Sequence, residues 1–488
     1  MSAIPVTRTR VRLHPDPRRV VIKPFMPGAH IPSNGRERAT QVVRRILALS
    51  EAEAASTLEA TRGQFADRHA DLDGALERNF RAVAGLIDDP DGLTPDRRCL
   101  IGAYFTHEYS IEAAALSNPS IVPSPDQTGL QPHEQRFIVS LRAIGEGHLS
   151  SIEFRSGVID QHAGIRIDAP SPFTTIGERH DPLYQNRAFR TKLQELGVLN
   201  EIANLVLDPL PTEFTLAALE ASIRELDDLG VDRAVAYETT RIIHWVAASN
   251  YTTTFRAGSQ LSERVIFPSG PAESQGMEDA RFVRFRHDDG SVLYYAIYTA
   301  FDGFQILPQL IETADFISFD ISTLNGEAAR NKGMALFPRM IDGRYVALSR
   351  QDNESNFVMF SDDVRHWREP VTIQEPERPW ELMQLGNCGS PLETEAGWLV
   401  LTHGVGPMRR YALGAILLDR DDPRRVLGHL DEPLLVPAED ERDGYVPNVV
   451  YSCGSMIHAD QLVIPYGFSD LGCGIAAIPL QDVLSRLT

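Results

Sequence analysis

The sequence predicts a mainly β protein: a five-bladed β-propeller with an N-terminal α-helical region and a helical insertion after the first blade. Three observations predict it. A strand–turn–strand unit recurs through the C-terminal half. Helical periodicity dominates residues 1–116. A second helical stretch interrupts the strand-rich region at about 181–245. The chain has 488 residues, of which 67 are acidic and 47 basic, giving a formal net charge of −20; 43% are hydrophobic. That is the composition of a globular protein with a large core. The acidic balance argues against nucleic acid or an anionic membrane as partner. No segment approaches the roughly 18 apolar residues of a membrane span. The basic N-terminal arm (Arg8, Arg10, Arg12, Arg18, Arg19, Lys23) has no apolar run behind it, so it is not a secretory signal. Cys99, Cys388, Cys453 and Cys473 form no CxxC pair. They suggest neither a zinc site nor a disulfide framework, and they fit a reducing cytoplasm.

The helical region starts with Ser33 or Asn34 as a cap for a helix carrying Val42, Val43, Ile46, Leu47 and Leu49 at helical spacing. Ser50-Glu-Ala-Glu53 has the capping-box pattern and opens a second helix running to about His69. A third spans Asp71 to Ile87. Asp88-Asp-Pro-Asp-Gly92 is a turn, and a last helix runs from Thr94-Pro95 toward Leu116. These helices read as a packing or oligomerisation element, and the protein is expected to form a homo-oligomer. From Asn118 short β-rich runs take over. Arg136–Arg142 is the first strand, with Ser151–Arg155 as its partner. Asn186–Leu196, Thr215–Leu229 and Asp232–Trp245 form the helical insertion.

Four later segments share one design: Asp279–Thr299, Pro338–Arg350, Pro391–His403 and Asn448–Gly467. Each is an apolar strand, a tight turn and a second apolar strand ending in a polar residue. Pro338 and Pro391 are 53 residues apart, and Pro391 and Asn448 are 57 apart. Antiparallel units at that spacing indicate propeller blades. With Asn118–Arg155 they make five, so the catalytic propeller is expected to occupy residues 117–488. Equivalent blade positions face a central channel. Asn118, Arg142, Asp279, Arg350, His403 and Asp470 should meet there. Lys332 and Arg281 add cations; Lys332 is one of only three lysines among the 47 basic residues. Glu278 and Asp279 are adjacent, so on a regular strand only one can face the channel. A lone acid among cations suits a reaction whose nucleophile is itself an anion, such as phosphate. Hydrolysis with inversion needs a second carboxylate to activate water.

Gly276-Met-Glu-Asp-Ala-Arg281 resembles the Gly-x-Glu-Asp-Pro-Arg motif of glycoside hydrolase family 130, the inverting β-mannoside phosphorylases. Further matches are Asn118-Pro-Ser, Tyr298-Thr-Ala, Lys332-Gly-Met-Ala-Leu-Phe-Pro, Ser361-Asp-Asp-Val-Arg-His-Trp367, Thr402-His-Gly-Val, Arg410-Tyr-Ala-Leu-Gly-Ala, Asp443-Gly-Tyr-Val-Pro-Asn-Val-Val and Tyr466-Gly-Phe-Ser-Asp470. They cover about 118–155 and 250–480 in family order. The resemblance implies a five-bladed propeller. It implies that Asp279 is the proton donor, acting through a sugar hydroxyl. It implies that Lys332, Arg350, His403 and Tyr411 hold phosphate, and that Asn118, Arg142, Glu278, Arg281 and Asp470 line the sugar subsite. The substrates implied are a β-mannoside oligosaccharide and inorganic phosphate as co-substrate, giving α-mannose 1-phosphate, with no cofactor and no metal. Relatives that are β-1,2-mannosidases replace basic phosphate ligands with glutamates; Lys332 stays basic here. Ala280 stands where the family has proline.

The same residues allow other readings. An inverting β-1,2-mannosidase would need Glu146, Glu273 or Glu278 as base. A propeller that binds glycans without catalysis would not need an acid beside four phosphate-type ligands. His107-Glu-Tyr and Glu146-Gly-His148 lack a third metal ligand at plausible spacing. Gly145-Glu-Gly147 does not open a helix and is no phosphate loop. Ser361-Asp-Asp363 with Trp367 reads as a blade turn over a core tryptophan.

Overall fold

The computed structural model describes residues 4–27, 35–228, 231 and 233–487. It is mainly β with helices. Five antiparallel sheets dominate, numbered here I to V in the order of their innermost strands. Sheet I orders Ala115–Pro123, Gln135–Ile144, Ser150–Ile159, Arg264–Ile266 and Thr175–Ile176, the last pair running parallel. Sheet II orders Met277–Arg286, Val292–Phe301, Ile306–Thr313, Ser318–Thr323, Tyr251–Thr254 and Glu178–His180. Sheet III contains Ala335–Leu336, Tyr345–Ser349, Asn356–Ser361 and Arg368–Gln374. Sheet IV contains Gln384–Asn387, Gly397–Val405, Tyr411–Leu418 and Val426–His429. Sheet V contains Val450–Tyr451, Gln461–Phe468, Gly472–Pro479 and, as its outer strand, Thr7–Leu13.

Each sheet is tied to the next by hydrogen bonds. Phe282 N donates to Ser120 Oγ at 3.1 Å between II and I, and Arg286 N to Pro338 O at 2.9 Å between II and III. Leu385 N donates to Glu354 O at 2.9 Å between IV and III, and Tyr411 N to Asn448 O at 3.1 Å between IV and V. Cys453 N donates to Pro119 O at 2.8 Å between V and I. Strands such as Gly397–Val405 are buried along their whole length, because both faces lie against neighbouring sheets. The hairpins read from the sequence at Pro338–Arg350 and Pro391–His403 turn at Asp342-Gly343 (φ +49° and +71°) and before Gly397 (φ +139°).

The helical region is built from α1 (Gly35–Leu47), α2 (Glu51–Phe65), α3 (Leu72–Val83) and α4 (Pro95–Tyr104). The proposed caps of α1, Ser33 and Asn34, lie outside the described residues. The capping box of α2 forms as expected: Ser50 N donates to Glu53 Oε2 at 2.8 Å and Glu53 N to Ser50 Oγ at 3.2 Å. Val43, Ile46, Leu58, Leu76, Phe80 and Ile101 share one core. At Gly102 the backbones of α4 and α3 touch; a Cβ there would sit 1.9 Å from Leu76 O. Residues 1–116 are less helical than expected. α4 ends at Tyr104, and Thr106–Ser110 pairs with Val20–Pro24 as a two-stranded sheet. The first half of the basic arm, Arg8, Arg10 and Arg12, lies in the outer strand of sheet V, where the alternation of Thr, Val and Leu with arginines is strand patterning, and Lys23 lies in Val20–Pro24.

The insertion holds α5 (Asn186–Glu195), α6 (Glu201–Leu207), α7 (Leu216–Asp228) and α8 (Arg233–Ala248) around a core of its own. It falls between Ser150–Ile159 and Arg264–Ile266 of one sheet, so it interrupts sheet I rather than following it. Trp367 is fully buried and its indole donates to Val364 O at 2.8 Å, so Ser361–Trp367 is a structural turn over a core tryptophan, as the sequence predicts.

Candidate active site

The sequence-predicted residues converge on the inner strands. Two matching backbone irregularities place the central pair. The register of Ala115–Pro123 slips between Ser117 and Ser120, where Asn118 has φ +49°. The register of Met277–Arg286 slips between Glu278 and Arg281, where Asp279 has φ +57°. Such bulges re-aim side chains at the cost of a sparsely populated conformation. The expectation that only one of Glu278 and Asp279 faces the centre is therefore corrected. The bulge breaks the alternation, and both carboxylates meet the same cations.

Asn118 Nδ2 donates to Asp279 Oδ1. Arg281 Nη2 lies 3.9 Å from Asp279 Oδ2 and donates to Tyr451 OH at 2.8 Å; Tyr451 OH is in turn 3.4 Å from Asp279 Oδ2. Glu278 bridges Arg142, at 2.6 Å, and Lys332. Asp470 sits on the turn after Gln461–Phe468 with φ +47°. Burial raises its pKa; Arg142 opposes the rise and Asp279 reinforces it. Burial also pushes the Asp279 carboxyl up, but Arg281, Lys332, Arg142 and the Asn118 amide together outweigh it and hold the pKa below its ordinary value. Asp279 is therefore ionised at neutral pH.

The second half of the site is Arg350, His403 and Tyr411. His403 lies on Gly397–Val405, paired with Gly386. Its ring stacks on Tyr411 with centroids 6.0 Å apart and meets Tyr451 edge-on at 4.8 Å. The sequence offered His403 as a potential cation. Burial, with Arg350 and Arg281 adding to it, holds the pKa far below its ordinary value, so the imidazole is neutral. Arg350 Nη1 is 3.3 Å from His403 Nε2. A guanidinium only donates, so Nε2 accepts and the ring proton resides on Nδ1. Arg350 has no carboxylate partner among the described residues, and its Nε is buried without a hydrogen bond. Gln384 Nε2 donates to Tyr411 OH at 3.4 Å.

The structure thus brings all ten predicted residues into one neighbourhood. Four cations (Arg142, Arg281, Lys332, Arg350) face three carboxylates (Glu278, Asp279, Asp470), leaving positive charge for an anion. Sequence reasoning missed Tyr451, which links Arg281, Asp279 and His403. It also missed Asn387, whose Nδ2 donates to Gly333 O at 2.6 Å. Both sit on innermost strands, the position that singled out Asn118 and Asp279.

A family model described as β-1,4-mannooligosaccharide phosphorylase, that of glycoside hydrolase family 130, matches residues 256–488. A 1,2-β-oligomannan phosphorylase of Thermoanaerobacter sp. (strain X514) is 33% identical over 231 residues, 46% of this chain and 75% of that protein. A β-1,4-mannooligosaccharide phosphorylase of Ruminococcus albus is 33% identical over 183 residues, 34% of this chain and 55% of that protein. The solved β-1,2-mannobiose phosphorylase of Listeria innocua, in complex with β-1,2-mannobiose, superposes with a TM-score of 0.44 at 19% identity, over 78% of this chain and 93% of that one. The chain belongs to glycoside hydrolase family 130. The family match begins at residue 256, beyond Asn118 and Arg142, so these two join the site by geometry alone.

Proposed function

We propose that the chain is a β-mannoside phosphorylase that cleaves β-linked manno-oligosaccharides with inversion, giving α-mannose 1-phosphate. The observation that carries this reading is Arg350, a half-buried guanidinium without a carboxylate partner among the described residues, flanked by a neutral imidazole and a phenol. An unpaired cation in that setting is costly unless an anion completes it. Phosphate held by Arg350, Lys332, His403 and Tyr411 attacks the anomeric carbon as the bond to the leaving oxygen breaks. Asp279 supplies that oxygen's proton through a sugar hydroxyl, and the proton of the attacking hydrogen phosphate leaves with the product. Asn118, Arg142, Glu278, Arg281 and Asp470 surround the mannosyl unit. No cofactor or metal enters this scheme.

Two of the candidate bases for hydrolysis are occupied, and the third is exposed to solvent. Glu273 accepts from Tyr251 OH, Tyr298 OH, and the backbone N–H of Ser269 and Gly270. Glu278 is held by Arg142 and Lys332. Glu146 is exposed on the turn between two strands of sheet I. This favours phosphate over water as nucleophile. The five sheets are, in the same reading, the blades of a propeller over residues 117–488, which their hydrogen-bonded succession from I to V and back to I supports. The helical region at 1–116 and assembly as a cytoplasmic homo-oligomer belong to the proposal too. Asp279→Asn tests the chemistry: turnover near the unsubstituted rate would overturn the role of Asp279.

A further inference from the structure

Two exposed aromatic rings meet at the mouth of the site. His148, on the turn between Gln135–Ile144 and Ser150–Ile159 of sheet I, stacks on Tyr445, on the loop that enters Val450–Tyr451 of sheet V; the centroids are 5.7 Å apart and the planes 28° apart. Both segments sit at the strand ends that carry Asn118 and Asp470: Ala115 pairs with Ile144, and Val450 with Phe468. Tyr445 is 59% exposed, and His148 is exposed too, so this ring area serves no core. The turn is built to present the imidazole. Gly147 and His148 are both left-handed, at φ +66° and +62°; glycine takes that conformation at less cost, so the turn alone does not call for a histidine. Tyr109 OH fastens it by donating to Glu146 O at 2.7 Å. Each ring is also tied to the site. Ser150 Oγ, two residues after His148, donates to Met277 O at 2.9 Å, beside Glu278. Val446 N, beside Tyr445, donates to Ser469 O at 3.0 Å, beside Asp470. The pair therefore borders the residues proposed to surround the mannosyl unit. The phosphate ligands lie across from it: Arg350 follows the second strand of sheet III, His403 and Tyr411 belong to sheet IV, and sheet I stands opposite these two in the succession of sheets.

We infer, given the proposed reaction, that Tyr445 backed by His148 is the platform for the acceptor sugar, the pyranose that leaves. Inversion puts nucleophile and leaving group on opposite faces of the anomeric carbon. With phosphate on the side of sheets III and IV, the leaving pyranose points toward sheets I and V, where the two rings stand. A tyrosine there offers an apolar face with a wet edge. A pyranose matches it, laying its C–H face on the ring and keeping its hydroxyls in water. The two residues set acceptor preference without touching the reacting bond, and Glu146-Gly-His148, which lacks a third metal ligand, gains a role as the turn that holds the platform.

Steady-state synthesis from mannose 1-phosphate, with β-1,2- and β-1,4-mannobiose as acceptors, separates the platform from the phosphate ligands. Tyr445→Ala should raise the acceptor KM about 10-fold and leave the KM for mannose 1-phosphate within about 2-fold of its unsubstituted value. Tyr445→Phe should keep the acceptor KM, because the ring face makes the contact. His148→Gly, which suits the left-handed turn, should raise it about 3-fold. An unchanged acceptor KM in Tyr445→Ala, or an equal rise for both substrates, would overturn the inference. Calorimetric titration of β-1,2- and β-1,4-mannotriose into the Asp279→Asn chain needs no turnover. Adding Tyr445→Ala to that chain should weaken binding about 10-fold. Unchanged affinity, or no binding of either trisaccharide, would overturn the platform. Absence of phosphate-dependent turnover in the unsubstituted chain, with the binding effect of Tyr445→Ala intact, would instead count against the proposed reaction and leave the platform standing.

Discussion

The cations around Asp279 keep it ionised, yet its proposed task is to give a proton. The conflict resolves if phosphate changes its surroundings. A bound dianion engages Lys332 and Arg350 and adds negative charge beside Asp279, leaving burial to dominate and the pKa to rise. A carboxyl whose pKa is higher in the bound state takes up a proton on binding, and affinity then falls as pH rises through the bound-state value. Calorimetry of phosphate binding in two buffers of different ionisation enthalpy should show that uptake, and Asp279→Asn should remove it; identical heats in the two buffers would contradict the coupling. Asp279→Asn should lower kcat by about 10²–10⁴-fold. Arg350→Met should raise the KM for phosphate by about 100-fold with little loss of thermal stability, because it removes a cation that has no carboxylate partner among the described residues. A strongly destabilised Arg350→Met variant would mean that the guanidinium is structural. The acid and its phosphate ligands were legible as residue types in a motif. Their protonation states were not: neutral His403 follows from burial beside Arg350 and Arg281, which adjacency in sequence does not reveal.

At the scale of elements, the site depends on strands that depart from regularity. The hairpins of sheets III and IV were readable because apolar runs flank Asp342-Gly343 and Glu395-Ala-Gly397. The bulges at Asn118 and Asp279 were not, since the left-handed backbone there is imposed by neighbouring sheets. Gly386 shows how tightly the strands are drawn together. A Cβ on it would lie 2.5 Å from His403 Cε1 and 3.1 Å from Arg350 Cδ. Gly386→Ala should therefore displace both phosphate-side residues and raise the KM for phosphate at least about 10-fold, with a smaller effect on affinity for the sugar; full activity in steady-state assays would show that the ring has room to move.

Across the whole molecule, distant parts of the chain are fastened by buried charge. Arg19 bonds Glu112 at 2.7 Å and Glu153 at 2.8 Å, while Arg155 bonds Glu112 at 2.5 Å and Glu153 at 3.3 Å. Arg19 also donates to Ser171 O at 3.0 Å and Ser262 O at 2.6 Å, at the two ends of the insertion. Arg19→Met should cost about 3–5 kcal/mol, because it strands two buried carboxylates on one cation. Thermal unfolding measures it, and a loss below about 1 kcal/mol would show the cluster to be dispensable. Burial, then Glu153, raise the Glu112 pKa above its ordinary value. Its share of stability is complete at acid pH and is lost as pH rises through the folded-state value. Glu112→Gln should flatten that slope. Neither this cluster nor the pairing of Thr7–Leu13 with Gly472–Pro479 was visible in the sequence, where the arginines read as a basic arm. The insertion's place inside sheet I was hidden for a related reason: the strand that resumes the sheet, Arg264–Ile266, is only three residues long.

The central claim is phosphorolysis. The most direct measurement is a paired incubation of the protein with β-1,2- and β-1,4-linked manno-oligosaccharides, with and without inorganic phosphate, assaying mannose 1-phosphate and free mannose. Mannose 1-phosphate formed only when phosphate is present is the predicted result, and the linkage consumed identifies the substrate. Free mannose released at equal rates in both arms would contradict the account and leave the unpaired Arg350 without a purpose.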